Sequence, residues 1–253
     1  MKQRVLDELG RIEREHGVGV LLAVESGSRA WGFASPDSDY DVRFVYAHPR
    51  DWYVSVEEPR DVIEEMLPGN LDVSGWDLRK TLRLFAKCNL ALNEWLGSPI
   101  IYSGPPGFRE QLLQLLPSFF NPLAGIHHYR SMASRALEDA AQGDSIRIKK
   151  LFYVLRPLLA CRWIERRRSQ PPTLFADLVA AELDSAEERG WIDDLCRRKA
   201  AAGEADLVTL EPQRAEAIRA ELERFRSMSV PLSAPRAGSK AELDEVLRAW
   251  TSK

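Results

Sequence analysis

The chain has few cysteines, no long apolar run and no excess of positive charge. Its 253 residues include three scattered cysteines, with no Cys-x-x-Cys pair. Such cysteines argue against a disulfide framework and against a structural zinc site. No apolar run approaches membrane-spanning length, and the N-terminal residues lack the apolar core of a signal peptide. We therefore predict a cytoplasmic protein with no membrane partner.

The charge balance limits the kind of partner. The formal net charge is -3 and the sequence pI is about 5.9. Proteins that coat nucleic acids are instead basic over the whole chain. Any contact with nucleic acid must therefore depend on a local patch. The composition, with 45% hydrophobic and 29% charged residues, is that of a globular protein. The length suffices for one large domain or two modest ones.

The pattern of secondary structure changes near residue 105. Before that point the sequence predicts a helix over 3–16, strands over 18–25, 39–46 and 71–76, and a helix over 77–87. After the breaker Gly104-Pro105-Pro106-Gly107 the patterns are helical, at about 108–116, 122–141, 145–168, 173–183, 185–200, 211–226 and 240–250. We predict an α/β or α+β domain over 1–105 and a helical domain, without convincing strands, over 106–253.

The clearest chemical signal follows the first predicted strand. Gly27 and Ser28 stand where that strand ends, and Asp39 and Asp41 alternate in the next one. Because side chains alternate along a strand, both carboxylates are expected on one face. At about 5 Å two like charges repel by roughly 1 kcal/mol in water, and more in a drier site, so a shared proton or a bound cation is expected. An isolated Asp-x-Asp more often marks a solvated strand face, but a divalent ion held by two acids beside a glycine turn is typical of phosphoryl or nucleotidyl transfer.

A third carboxylate would complete a two-metal site. Asp72 is the first candidate, because Leu71 and Val73 alternate with it and place it away from the apolar side. Asp77 is the alternative, although it begins a predicted helix, where aspartate is usually a cap. Glu25, at the end of the first strand, is a more remote candidate.

Two further groups of residues could contact phosphate. Glycine lets a backbone approach a ligand, and the amides at a helix N-terminus attract phosphate oxygens. Gly27 and Ser28 are therefore predicted to contact phosphate, and Arg29 is a third candidate. On the central helix, Lys149, Lys150 and Tyr153 share one side. This side is suited to a triphosphate or a nucleic-acid backbone, and a solvated basic face paired with acids is an equal alternative.

These motifs resemble those of nucleotidyltransferases of the DNA polymerase β superfamily, in which an apolar residue and Gly-Gly or Gly-Ser precede an Asp-x-Asp on the next strand. The longer run over 27–43 is more specific. Together with 74–80, Glu94-Trp95-Leu96 and Lys149-Lys150-x-x-Tyr153-x-x-Arg156-Pro157, it is similar to the bacterial family associated with RNA-repair operons. The similarity is strong in the first half and loose after about residue 170.

The resemblance implies an α+β protein, in which a small mixed sheet is flanked by helices and a helical domain closes over the nucleotide. It implies that Gly27 and Ser28 contact the triphosphate and that Asp39 and Asp41 bind Mg²⁺ or Mn²⁺. A carboxylate on a later strand, Asp72 first, would help to activate the acceptor. The implied reaction transfers a nucleoside monophosphate from a nucleoside triphosphate, with ATP as a candidate, to an RNA end.

Two alternatives remain open at this point. The acceptor could be the hydroxyl of a protein or a small molecule, with the same chemistry at the nucleotide. The chain could also be a nucleotide- or RNA-binding module without turnover, although the presence of both acids argues against simple decay of a catalytic site.

Overall fold

The computed structural model of the chain describes residues 1–57, 59–139, 145–201, 206–228 and 238–251. Contacts divide the chain into two compact units. The first contains the described residues of Met1–Ala30, Asp39–Phe119 and Pro235–Lys253, and the second those of Trp31–Ser38 and Phe120–Ala234. The predicted boundary at residue 105 therefore falls inside the first unit.

A five-stranded mixed sheet forms the centre of the first unit. Its strands are β1 (Gly19–Glu25), β2 (Tyr40–Ala47), β3 (Val62–Leu67), β4 (Leu71–Asp77) and β5 (Ile101–Ser103). Their order is β3-β4-β2-β1-β5, with β2 and β4 parallel and the other pairs antiparallel. This architecture confirms the predicted α+β class.

Two strands of this sheet were absent from the prediction. Edge strand β3 contains two consecutive glutamates, which interrupt an apolar alternation, and β5 has only three residues. The predicted strand at residue 39 begins one residue later, at Tyr40. Short or polar edge strands carry little of the period-2 signal on which a sequence prediction depends.

The helices of the first unit cover both faces of the sheet. They are α1 (Lys2–His16), α2 (Gly27–Ala30), α3 (Leu78–Ala86), α4 (Leu90–Leu96), α5 (Phe108–Phe119) and α11 (Lys240–Thr251). Apolar residues of α1 pack with one face of β2, where Phe44 is fully buried. On the other face, Phe108 of α5 and Val246 of α11 are fully buried in a cluster with Val45. The two late helices complete the sheet's core, which explains why the boundary at residue 105 does not separate them from it.

The second unit is mainly helical. It contains α6 (Pro122–Glu138), α7 (Ile148–Arg167), α8 (Phe175–Glu182), α9 (Ala186–Ala201) and α10 (Pro212–Arg226), together with an antiparallel pair of strands, β6 (Ser145–Arg147) and β7 (Leu207–Thr209). The prediction of helix from residue 145 is wrong for three residues, and so is the expectation of no strand in this region. Three-residue strands are too short to show a periodic pattern. The predicted helical residues 140–141 lie outside the described residues.

The segment Trp31–Ser38 belongs to the second unit because its aromatic residues pack there. Phe33 stacks on Phe152 of α7, with ring centroids 4.7 Å apart. The guanidinium of Arg156, which is buried, lies 4.4 Å from the ring centroid of Trp31.

Within the residues that the structure covers, none of the helices combines the length and apolar character needed to cross a membrane.

Candidate active site

The end of β1 fixes the start of β2. The backbone N–H of Asp41 donates to Oε1 of Glu25 at 2.8 Å, and the N–H of Ser26 donates to the carbonyl of Asp41 at 2.8 Å. β1 and β2 are antiparallel here, with Glu25 opposite Val42. The backbone of Asp41 is thus held against the residues that precede the Gly-Ser turn.

Gly27 lies directly against the carboxylate of Asp41. Its φ is +61°, a left-handed conformation that favours glycine, and a Cβ built there would stand 2.2 Å from Oδ2 of Asp41. Gly27 begins the one-turn helix α2, and Ser28 is buried beside it. The first amides of a helix have no acceptor within the helix. The structure therefore brings together two of the predicted features, the glycine turn and the second aspartate.

Asp72 lies beside Asp41 on the neighbouring strand. The two residues are paired in the parallel register of β2 and β4. Nη2 of Arg43 donates to Oδ2 of Asp72 at 2.7 Å and to Oδ1 of Asp41 at 3.2 Å. The two carboxylate side chains are 29% and 30% exposed. A guanidinium therefore offsets the repulsion between these acids.

Sequence reasoning assigned no role to Arg43. The signal was present, because a residue two positions after Asp41 in a strand shares its face. We expected a shared proton or a bound metal ion to offset the repulsion between the acids. The guanidinium of Arg43, on the same strand as Asp41, is the cation found there.

Asp39 and Arg29 lie at the edge of this arrangement. Asp39 is exposed and directly precedes β2. Nε of Arg29 donates to the backbone carbonyl of Asp39 at 3.0 Å, and the Arg29 guanidinium lies 3.7 Å from the ring centroid of Tyr40. The predicted phosphate-binding arginine is therefore adjacent to the first aspartate of the motif.

The three predicted metal ligands do not form one tight cluster. In the described part of the chain, such a cluster is found at Glu15, His16 and Glu65. One possible ligand atom from each of these residues lies within 4.8 Å of the other two. Arg11 makes ion pairs with both of those glutamates. Asp39, Asp41 and Asp72 are not assembled in this way, because Arg43 lies between the last two and Asp39 precedes the strand.

Asp77 has a structural role. Its Oδ1 caps α3 by accepting the backbone N–H of Arg79 at 2.7 Å and that of Lys80 at 3.4 Å, and the hydroxyl of Tyr53 donates to Oδ2 at 2.6 Å. The residue is 1% exposed, and burial raises the pKa of its carboxyl above the ordinary value. The helix-cap prediction is confirmed, and Asp72 is the better placed of the two candidates for the third carboxylate.

Glu25 is a buried acid that positions the site. It is fully buried and accepts hydrogen bonds from the Asp41 backbone and from the hydroxyl of Tyr102. Burial raises the pKa of its carboxyl, and the charge of Asp41 acts in the same direction. The sequence suggested Glu25 only as a remote metal ligand, and a partner 77 residues away gave no local signal.

The predicted basic side of α7 is only partly basic surface. Nζ of Lys150 pairs with Asp139 at 2.9 Å, as the alternative of a face paired with acids expects. Lys149 is half-buried, and the ring of Tyr153 packs edge-on against Trp31 at 5.2 Å. Arg156 is 1% exposed and donates to the carbonyl of Thr173 at 3.1 Å. These residues all belong to the second unit.

Comparisons with known proteins agree with the resemblance noted in the sequence. A family model described as RlaP, RNA repair pathway DNA polymerase beta family, matches residues 1–249. The chain is 47% identical over 247 residues to "Uncharacterized protein YcgL" of Bacillus subtilis (strain 168), covering 98% of this chain and 95% of that protein. A crystal structure of a nucleotidyltransferase-like protein from Exiguobacterium sibiricum 255-15 matches with a TM-score of 0.30 and 13% identity, over 96% and 75% of the two chains. A TM-score this low has no bearing on the function.

Proposed function

Because the chain belongs to the RNA repair pathway DNA polymerase beta family, we propose that it is a metal-dependent nucleotidyltransferase. The reaction transfers a nucleoside monophosphate from a nucleoside triphosphate, with ATP as the first candidate, to a hydroxyl at an RNA end. The acceptor oxygen bonds to the α-phosphorus, the bond to pyrophosphate breaks, and the hydroxyl proton passes to a carboxylate, with Asp72 as the first candidate.

One observation carries this proposal: the Asp41 carboxylate packs against the backbone of Gly27. A Cβ at Gly27 would stand 2.2 Å from an Asp41 oxygen, closer than the two atoms can approach. Phosphate needs close backbone approach and amide donors, whereas a divalent cation needs carboxylate oxygens. Nucleotidyl transfer requires amide donors and carboxylate oxygens at the same place. Here the amides of α2 lie beside a carboxylate of β2.

The donor chemistry suits Mg²⁺ or Mn²⁺, although the three carboxylates are not drawn into one cluster in the described residues. Asp39, Asp41 and Asp72 would hold the ion, since hard divalent cations prefer carboxylate oxygens. A bound ion would neutralise phosphate charge and lower the pKa of the attacking hydroxyl. Arg43 already compensates Asp41 and Asp72, so its guanidinium is the group that must share these carboxylates with an ion.

The chain's own residues bind and orient the nucleotide. The amides of Gly27 and Ser28 would donate to phosphate oxygens, with Arg29, held by the Asp39 carbonyl, beside them. Glu25 would maintain the distance between the Gly-Ser turn and Asp41 through its bond to the Asp41 backbone.

The basic residues predicted on α7 belong to the second unit. Lys149, Lys150 and Tyr153 stay predicted nucleotide-binding residues. Lys150 would have to exchange its pairing with Asp139 for a phosphate. An ion pair of this partly exposed kind contributes about 0–1 kcal/mol, so such an exchange costs little.

Labelled nucleotides test the proposal directly. The protein is incubated with each of the four α-³²P-labelled ribonucleoside triphosphates, Mg²⁺ or Mn²⁺ and RNA, and the label on RNA is measured. The proposal expects metal-dependent incorporation that is lost in Asp39→Ala and Asp41→Ala proteins that remain folded. Incorporation that survives both substitutions would contradict it. Replacing RNA by candidate protein acceptors in the same assay separates the two acceptor classes.

A further inference from the structure

A basic groove lies between α3 and α11 in the first unit. It has a volume of about 710 Å³, and its lining includes four cations and one carboxylate: Arg79, Arg83, Lys87, Lys240 and Asp244. Leucines from both helices also line it. The protein as a whole carries a net charge of -3, so this concentration of positive charge is local.

The cations along and just after α3 are regularly spaced in sequence. Arg79 and Arg83 lie on one side of the helix about 6 Å apart along its axis, and Lys87 follows four residues later, directly after the helix ends. Leu82 and Phe85 turn into the core. Arg83 and Lys87 are exposed, as is Lys240 across the groove. A row of cations at this spacing is comparable with successive phosphates of a polynucleotide strand.

Aromatic rings lie at the α3 end where Arg79 is found. The Arg79 guanidinium donates to the carbonyl of Tyr53 at 2.8 Å and lies 4.9 Å from the Tyr53 ring and 5.6 Å from the Trp52 ring. Trp52 is half-buried and stacks on His48 at 4.1 Å. Arg79 and Arg83 also line a smaller pocket with Trp52. Cations that follow a backbone beside aromatic rings are typical of surfaces that bind single-stranded nucleic acid.

We propose that this groove binds the RNA strand that serves as acceptor, with α3 and Lys240 contacting phosphates and the Trp52 region contacting bases. The proposal rests on the proposed function, because that function supplies the reason for an RNA acceptor. An acidic protein segment would be drawn to the same charge, but it would not need the adjoining aromatic rings or the regular row of cations.

RNA binding without nucleotide or metal tests the groove. Fluorescence anisotropy with a labelled single-stranded RNA compares the wild type with the triple variant Arg83→Ala, Lys87→Ala, Lys240→Ala. The control Lys2→Ala, Arg14→Ala, Arg60→Ala removes the same charge from exposed positions outside the groove lining. We expect the groove variant to bind about tenfold more weakly, with the slope of log Kd against log salt reduced by about 2, and the control to bind as the wild type does.

The outcomes separate this inference from the proposed function. Equal RNA affinity of both variants, or no RNA binding by the wild type, overturns the groove even if nucleotidyl transfer is found. Selective loss in the groove variant supports it even if no transfer occurs. Binding of an acidic peptide with the same dependence on the groove, and with affinity equal to that of RNA, would assign the surface to a protein partner instead.

Discussion

The two ends of β4 carry aspartates in opposite environments. Asp77, at the C-terminal end, is 1% exposed and accepts two backbone N–H groups and a tyrosine hydroxyl. Asp72, near the N-terminal end, is 29% exposed at its side chain and shares the guanidinium of Arg43 with Asp41. A buried acid whose acceptors are satisfied serves the fold, whereas a half-exposed acid with an ionic partner can change partners. The comparison therefore favours the N-terminal end of β4 for the proposed chemistry.

The largest effect is expected at Gly27. Gly27→Ala introduces a Cβ at 2.2 Å from Asp41 Oδ2 and should reduce nucleotidyl transfer about 100-fold or more, because displacement of a reacting group by 1 Å can cost that much. Gly17→Ala is the matched control. Its φ is +62°, against +61° at Gly27, and a Cβ there has no neighbour within 4 Å.

Comparing the two glycine variants separates backbone strain from the clash. Both should lose about 1–2 kcal/mol of unfolding free energy from the left-handed conformation, and only Gly27→Ala should lose transfer. Equal transfer rates of the two variants, measured on folded protein, would break the link between the glycine turn and Asp41.

A smaller effect, on stability, distinguishes the two aspartates of β4. Asp77→Ala removes a helix cap, worth about 1 kcal/mol, and leaves the Tyr53 hydroxyl without its acceptor, so we expect a loss of about 2–3 kcal/mol. Asp72→Ala removes a partly exposed ion pair and should cost less than about 1 kcal/mol. Urea unfolding measures both, and a larger loss for Asp72→Ala than for Asp77→Ala would reverse our assignment of roles.

The smallest effect is a pH dependence at Asp77. Because burial raises the pKa of its carboxyl above the ordinary 3.8, the folded state holds this proton more tightly than the unfolded state. The stability that this group contributes is therefore full below about pH 3.8 and is lost as pH rises through the raised value.

Asp77→Asn should remove this trend, so the unfolding free energy of the wild type relative to the variant should fall as pH rises from about 3.5. Tyr53→Phe provides a second check, because it should enlarge the trend that Asp77→Asn removes. The Tyr53 hydrogen bond lowers the Asp77 pKa, so its loss should steepen the decline. A wild-type difference that instead rises with pH would contradict the assigned direction.

Local features of the site were predictable from sequence. The proximity of Gly27 and Asp41 follows from two adjacent strands joined after a turn, and the cap at Asp77 follows from its place before a helix. The position of Arg43 could equally have been predicted, since strand alternation alone puts it on the face of Asp41.

Features that depend on long-range packing were not predictable. The bond between Glu25 and Tyr102 joins residues 77 positions apart, and its role appears only once both are buried. α5 and α11 join the first unit because their apolar faces cover the sheet, and helical periodicity does not identify the surface that a helix covers.

The central claim is that a divalent cation and a triphosphate meet at Asp41 and Gly27. Anomalous diffraction from Mn²⁺ in crystals grown with a non-hydrolysable nucleoside triphosphate tests it directly. The account predicts a manganese peak coordinated by Asp41 together with Asp39 or Asp72, with phosphate oxygens at the amides of Gly27 and Ser28. A peak at Glu15, His16 and Glu65, or phosphates bound away from the Gly-Ser turn, would contradict it.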